Sequence, residues 1–194
     1  MSRESSVVRD TTETSINLRL NLDGTGVYTI ETGLGFFDHM LSHIAKHGGL
    51  DLSLKAKGDL HVDEHHLVED VGICLGKALR VALGEKRGIE RFGTAFVTMD
   101  EALARTVIDL SGRSYLVFLA TFTRESINGF SLELVREFFQ AIAGEGKMNV
   151  HVALLYGANA HHQAEAIFKS FGRALRQAVR VTMQDTIPST KGVL

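Results

Sequence analysis

The stretch HHLVEDVGICLGKALR at residues 65–80 decides the fold, because the chain repeats it as HHQAEAIFKSFGRALR at residues 161–176. Both copies share the frame HHxxE, six further residues, and then G(K/R)ALR. Upstream of each copy, ETSINLRLNLDG from Glu13 aligns without a gap with EALARTVIDLSG from Glu101. Matched anchors in the same order indicate an internal duplication.

The spacing between the anchors is also nearly the same in the two parts of the chain. His39 lies 26 residues before the HH pair at 65, and Glu137 lies 24 residues before the pair at 161. A change in the length of one turn accounts for this difference. We therefore expect one domain over residues 1–194, built from two repeats of about 1–90 and 91–194 that cover each other's sheet.

The hydrophobic pattern predicts short strands and then helices in each repeat. SINLRLNL alternates apolar and polar residues with period two, as a half-buried antiparallel strand does. Further strands are predicted at GVYTIET, DLSLKAK, AFVTMD, ALARTVIDL, SYLVFLAT and NVHVALLY. Predicted helices cover about Phe36–Lys46, His65–Leu83, Ser131–Ala143 and His161–Val181. The pattern is typical of an α+β fold with mostly antiparallel sheet and helices packed on one face.

Composition and charge exclude several classes of partner. A formal net charge of −2 gives no electrostatic reason to expect nucleic acid or an anionic membrane. The sequence has neither an apolar run of membrane-spanning length nor an apolar signal segment near its start. Its single cysteine, Cys74, sits in the apolar run VGICLGKAL and is predicted to be a buried thiol. These features favour a cytoplasmic protein.

The two HHxxE clusters favour metal binding. On a helix, the first histidine and the glutamate are four residues apart, so they share a face and can chelate one cation. The second histidine is rotated by about 100° and is directed toward a different centre. The repeat adds His39 and Glu137 at equivalent positions. The candidate ligands are thus His39, His65, His66, Glu69, Glu137, His161, His162 and Glu165.

Imidazole and carboxylate ligands without a thiolate suit Mn, Fe, Co or Zn. The alternative is that each HH pair is a solvated helix start whose glutamate is favoured by the helix dipole. For one isolated cluster, the solvated helix start would explain the sequence as well as metal binding does. Two clusters at matched positions of a repeat favour the metal-binding interpretation.

Several motifs occur together in one order: GFFDHML, HHLVEDVG, SGRSYL, HHQAEAIFKSFGRALRQA and STKG. With them the sequence resembles the imidazoleglycerol-phosphate dehydratase family nearly end to end, from Arg9–Thr14 to STKGVL. The resemblance implies a duplicated α+β fold of the ribosomal S5 domain 2-like class. It also implies a lyase that dehydrates D-erythro-imidazoleglycerol phosphate to imidazoleacetol phosphate and water, a step of histidine biosynthesis.

The same resemblance implies two divalent metal ions per site, with Mn²⁺ expected, and a reaction through a di-metal-bound imidazolate. It further implies a homo-oligomer of 24 subunits with sites between subunits. Seven of the eight candidate ligands match the family's metal positions. Glu137 departs from the family pattern, because the family often has histidine at this position. A carboxylate also binds such metals.

The resemblance assigns the remaining site residues as well. Glu13 matches a substrate-contacting acid and is the predicted catalytic residue, and His47 matches a substrate-contacting histidine. Phosphate-binding positions fall on Arg91, Arg113, Lys169, Ser189 and Lys191. Fixed cationic donors and hydroxyls suit a phosphate. Glu101, the repeat partner of Glu13, is either catalytic or a relic of the duplication.

Two other classes remain open at this point. A metal-dependent hydrolase of a small phosphorylated metabolite would use the same ligands with a metal-activated water. A non-catalytic metal-storage or structural oligomer would need neither Glu13 nor the phosphate-binding residues.

Overall fold

The computed structural model describes residues 3–194. Within that range the strands are β1 (Glu4–Asp10), β2 (Thr14–Asn21), β3 (Tyr28–Glu31), β4 (Asp51–Gly58), β5 (Phe92–Met99), β6 (Ala102–Asp109), β7 (Tyr115–Leu119), β8 (Ser126–Ile127), β9 (Phe130–Ser131) and β10 (Asn149–Tyr156). The helices are α1 (Gly35–Gly48), α2 (His65–Leu83), α3 (Leu134–Gly146) and α4 (Ala160–Ala178).

The two four-stranded sheets have the same topology. One has the order β1-β2-β4-β3 and the other β5-β6-β10-β7. In each sheet two neighbouring pairs are antiparallel and the last pair, β3 with β4 or β7 with β10, is parallel. The predicted fold class is therefore confirmed: a duplicated α+β unit whose sheets are mostly antiparallel.

Alternation along the strands separates the core from the outer surface. In β2, Ile16, Leu18 and Leu20 are buried, whereas Asn17 and Arg19 between them are exposed. The apolar side chains of the helices cover the inner faces of both sheets and form one core. Cys74 is fully buried in it, as predicted.

Helices are exchanged between the two halves. The short helix α1 packs on the long helix α4, and α3 packs on α2. Both crossings bring backbones close together at glycines. A Cβ on Gly172 would lie 3.1 Å from the backbone nitrogen of Gly48, and one on Gly76 would lie 2.9 Å from that of Gly146. Only glycine permits so close an approach.

Most element boundaries agree with the sequence predictions, and α2 agrees at both ends. The predicted helix from Ser131 was wrong at its start, because Ser131 pairs in the hairpin of β8 and β9 and α3 begins at Leu134. The predicted end of α4 at Val181 was also too late, since the helix ends at Ala178. Strand β1 was missed, and it pairs along its whole length with β2.

Among the helices of residues 3–194, none is long and apolar enough to cross a membrane.

Candidate metal centre

Helices α1 and α4 cross so that four potential metal ligands and one lysine ammonium group lie close together. We call this group the α1–α4 cluster: His39, His43, His161, Glu165 and Lys169. His161 and Glu165 are one turn apart on α4, and the His161 Nε2 to Glu165 Oε2 distance is 3.2 Å. From α1, His39 Nε2 lies 3.4 Å from Oε2 and His43 Nε2 lies 3.5 Å from Oε1. Lys169 pairs with the same carboxylate.

Neighbouring charges keep the central carboxylate ionised despite its burial. Burial alone would raise the pKa of Glu165, but the hydrogen bond and charge of Lys169, with the neighbouring imidazoles, lower it to about 2. Burial lowers the pKa of His43 to about 4, so that imidazole is neutral near pH 7 and has a free lone pair. A carboxylate beside the neutral imidazole of His43 is the protonation state that metal binding requires.

This donor set fits a divalent cation. One ligand atom from each of His39, His43 and Glu165 lies within 4.8 Å of the other two. Nitrogen and oxygen donors without sulfur suit Mn, Fe, Co or Zn. Among the described residues, three donor atoms converge in this way at the α1–α4 cluster alone.

The equivalent crossing of α2 and α3 carries His65, Glu69 and Glu137, which we call the α2–α3 cluster. Its carboxylates are more open to solvent than Glu165. Glu69 is exposed. Glu137 lies in the first turn of α3 and accepts a hydrogen bond from Arg136 at 2.8 Å. The repeat therefore places a second set of candidate ligands at the matching position of the fold, but in a looser arrangement.

The second histidine of each HH pair turns away from its own cluster. His66 Nδ1 lies 3.0 Å from Asp59 Oδ2 and 3.9 Å from Glu13 Oε2. His162 Nδ1 lies 2.7 Å from Glu101 Oε2. The hydrogen bonds that His66 donates to Asp59 and His162 donates to Glu101 raise the pKa of the two imidazoles. Both imidazoles thus contact carboxylates that belong to neither cluster.

Glu13 sits at the tip of the β1–β2 hairpin. Thr11 Oγ1 accepts hydrogen bonds from the backbone N–H groups of Glu13 and Thr14, at 3.1 and 2.9 Å, and so shapes the turn. Thr14 Oγ1 donates to Asp70 Oδ2 at 2.5 Å, and Arg9 forms an ion pair with Asp70 Oδ1 at 2.9 Å. The buried Asp70 therefore fixes this turn above the start of α2, next to His66.

Four of the five predicted phosphate-binding residues line one cavity. Arg91, Arg113, Ser189 and Lys191 surround a space of about 380 Å³ at the C-terminal end of the chain. Arg91 is held there by Asp109, at 2.7 Å, and by the carbonyl of Pro188, at 2.7 Å. Lys169 lies elsewhere, in the α1–α4 cluster, paired with Glu165.

His47 lies one turn beyond His43 on α1, and the two rings are 5.6 Å apart. Burial, followed by the charges of Lys169 and Arg173, lowers the pKa of His47. His47 thus follows His39 and His43 along one face of α1 and lies near Lys169 and Arg173 of α4.

Sequence reasoning missed two residues of this region, His43 and Asp70. The signal for His43 was present as His39, His43 and His47 at intervals of four on one helix, which places all three on one face. Asp70 had no such signal, because its partners Arg9 and Thr14 are distant in sequence.

The fold and this cluster define a class: a duplicated α+β protein with an imidazole–carboxylate site, built around the buried Glu165, that suits a divalent cation. The family model for imidazoleglycerol-phosphate dehydratase matches residues 32–175. Imidazoleglycerol-phosphate dehydratases of Hydrogenovibrio crunogenus and Nitrosomonas eutropha are 56% and 55% identical over 194 residues, which is 99% of this chain and 100% of each relative.

Solved structures agree with these relatives. The enzyme of Staphylococcus aureus has a TM-score of 0.84 at 40% identity, over 92% of this chain and 99% of that one. The Pyrococcus furiosus enzyme, in complex with (S)-C348, has a TM-score of 0.83 at 38% identity, over 97% and 100%. The chain belongs to the imidazoleglycerol-phosphate dehydratase family. The predicted resemblance and the assignment to a family of dehydrating lyases are confirmed.

Proposed function

We propose that this protein dehydrates D-erythro-imidazoleglycerol phosphate to imidazoleacetol phosphate and water in histidine biosynthesis. The observation that carries the proposal is the α1–α4 cluster, an imidazole–carboxylate site around the buried Glu165, in a chain that matches dehydratases over nearly its whole length. The hydrolase alternative is not favoured, because the family match is to dehydratases.

The ligands divide between the two clusters. His39, His161 and Glu165 would hold one cation, and His65, Glu69 and Glu137 a second. His66 and His162, turned outward, would complete centres in other subunits. When bound, the cations withdraw electron density from the substrate's imidazole ring, which favours loss of its ring proton. Two Mn²⁺ ions per site remain the prediction.

The substrate's other end is a phosphate dianion. Arg91, Arg113, Ser189 and Lys191 supply cationic and hydroxyl donors around one cavity that fits such a group. Lys169 and His47 lie on the side of the α1–α4 cluster and would contact the substrate between the ring and the phosphate.

Glu13 would carry one of the two proton transfers, either to the leaving hydroxyl or from the neighbouring carbon. Its side chain is 52% exposed, and its nearest ionisable neighbour is His66, at 3.9 Å. A carboxylate held by its backbone turn and otherwise unengaged is available to a substrate.

The site is proposed to lie between subunits of a homo-oligomer, with 24 subunits expected from the family resemblance. The phosphate cavity and the α1–α4 cluster share no lining residue. A second copy of the chain would bring the two parts together. We also propose that the whole chain is one domain of two repeats, because each half supplies the helix that covers the other's. The location in the cytoplasm remains a prediction.

Turnover of imidazoleglycerol phosphate by metal-stripped protein, with and without Mn²⁺, tests the proposal directly. We expect the ketone product to appear only with metal, and no inorganic phosphate to be released. Phosphate release without ketone would favour the hydrolase instead. Absence of both, in protein with full metal loading, would reject an enzymatic role for the clusters.

A further inference from the structure

We propose that His43 is a ligand of the cation bound at the α1–α4 cluster, an assignment that rests on the metal-dependent function proposed above. It gives this centre two imidazoles from α1, His39 and His43, beside His161 and Glu165 from α4. The centre would then have four protein ligands from a single chain.

The distances between donor atoms support the assignment. Ligand atoms about 2.1 Å from one ion are about 3.0 Å apart at right angles and about 3.4 Å apart in a tetrahedron. The Nε2 atoms of His39 and His43 are 3.3 Å apart. Their distances to the Glu165 oxygens are 3.4 and 3.5 Å. One ion can therefore contact all three side chains with only small movements.

The orientation of the His43 ring also points to a cation. Its side chain is only 14% exposed, and its Nε2 faces the Nε2 of His39 instead of solvent. A proton between two imidazoles satisfies only one as donor and the other as acceptor. A shared cation satisfies both nitrogens and the carboxylate together.

The repeat supplies an internal contrast. Position 43 is four residues after His39, and the matching position in α3, four residues after Glu137, is Ala141. The α2–α3 cluster therefore has no counterpart of His43. The two centres should differ in affinity, with the α1–α4 centre the tighter one within a single chain.

Titration of full-length, metal-stripped protein with Mn²⁺, with free Mn²⁺ followed by electron paramagnetic resonance, tests the assignment. We compare wild type with His43→Ala and His43→Gln. The matched control is His151→Ala, which removes an exposed histidine of β10 that belongs to neither cluster. We expect both His43 variants to weaken the tighter class of sites at least about tenfold. The control and the weaker class should not change.

Electron spin-echo spectra of Mn²⁺-loaded protein labelled with ¹⁵N-histidine give a second readout. The signal from coordinated imidazole should decrease in the His43 variants but not in His151→Ala. If His43→Ala does not fold, His43→Gln decides, because it keeps a polar side chain of similar reach.

Unchanged Mn²⁺ affinity and an unchanged imidazole signal in a folded His43 variant would overturn the assignment, and so would an equal loss in His151→Ala. The proposed function is tested separately. Ketone formation by wild type together with wild-type Mn²⁺ binding by the variants would reject His43 alone. Weakened Mn²⁺ binding in the variants, with no ketone formed by wild type, would reject the reaction alone.

Discussion

The sheet of the first half and the sheet of the second half have the same strand order, yet their outer faces differ in chemistry. One cross-strand row of the first sheet contains Val8, Asn17, Lys55 and Glu31. The equivalent row of the second contains Phe96, Arg105, Ala153 and Leu119. Phe96 and Leu119 are 57% and 63% exposed. Large exposed apolar residues on one face are typical of a contact surface. The row of the second sheet has two of them, whereas that of the first sheet has the smaller Val8 alone, at 66% exposed.

The equivalent glutamates Glu13 and Glu101 differ in their hydrogen-bond partners, and here the second half is the more tightly bonded. Glu101 accepts hydrogen bonds from the backbone N–H groups of Ala158 and Asn159, at 3.0 and 2.7 Å, and contacts His162. The hydrogen bond with His162 and then the two backbone donors lower the pKa of Glu101 to about 2. Glu13 has no comparable set of partners among the described residues. The first half thus leaves its carboxylate largely without partners, whereas the second half uses its carboxylate to hold a histidine.

The largest expected effect is on turnover. Glu13→Gln should reduce kcat by roughly 10²- to 10⁴-fold, because it removes a proton-transfer group and leaves the fold intact. Glu101→Gln should instead weaken metal binding, by about 10- to 100-fold, because it loosens His162. Steady-state kinetics and Mn²⁺ titration of both variants separate the two roles. Full turnover by a metal-loaded Glu13→Gln enzyme would contradict the role of Glu13.

The next effect concerns assembly. Replacing Phe96 and Leu119 together by serine should break up the proposed oligomer, because the second sheet loses the two large apolar side chains of this row. The matched control replaces Val8 and Glu31, at the equivalent positions of the first sheet, by serine and should leave the oligomer intact. Sedimentation velocity measures both. Dissociation of the control, or persistence of the Phe96 and Leu119 variant, would show that the contact surface lies elsewhere.

A buried ion pair distinguishes the two glutamate turns energetically. Asp70, whose side chain is 7% exposed, pairs with Arg9, and the equivalent residue in the second half is the buried Ala166. Asp70→Ala should reduce the free energy of unfolding by about 3 kcal/mol, because it leaves the Arg9 charge without its partner. Glu90→Gln, which breaks the exposed pair with Arg180, should change it by less than about 1 kcal/mol. Urea unfolding of the two variants measures both changes in the free energy of unfolding. Equal changes would mean that the Arg9–Asp70 pair stabilises the fold no more than an exposed pair does.

The smallest effects test whether the two helix crossings are equally tight. A Cβ on Gly76 would lie 2.9 Å from the Ile142 carbonyl oxygen, and one on Gly172 would lie 3.0 Å from that of Ile44. Substitution of either glycine by alanine should destabilise the protein by about 1–3 kcal/mol. Gly144→Ala, on the open side of α3 with nothing within 4 Å, should stabilise it by up to about 1 kcal/mol. Thermal unfolding measures all three, and a neutral Gly76→Ala would show that the crossing can widen.

The fold was predictable because its signals are local and occur twice. Helix α2 was predicted at both ends from its apolar spacing, and the duplicated HHxxE frame fixed the relation between the halves. Strand β1 was missed because its sequence, ESSVVRD, has only a short alternation of its own. It forms because its whole length pairs with the strongly patterned β2.

The candidate site was predictable where a residue shares a helix turn with its partner, as His161 and Glu165 do. Partners from different elements were not predictable. Neither the support of Glu13 by Asp70 nor the direction of His43 toward Glu165 follows from spacing within one segment. The separation of Lys169 from Arg91, Arg113 and Lys191 is likewise a property of the tertiary structure.

The reciprocal exchange of α1 and α3 has a consequence for how such a chain arose. Each half by itself leaves the inner side of its long helix without the short helix that covers it. A half-length ancestor with this architecture would have folded as a pair of identical chains, with the same glycine contact formed twice across a twofold axis. Fusion of two gene copies would have preserved every helix contact. It would also have freed each copy to change on its own, as Glu13 and Glu101 have done.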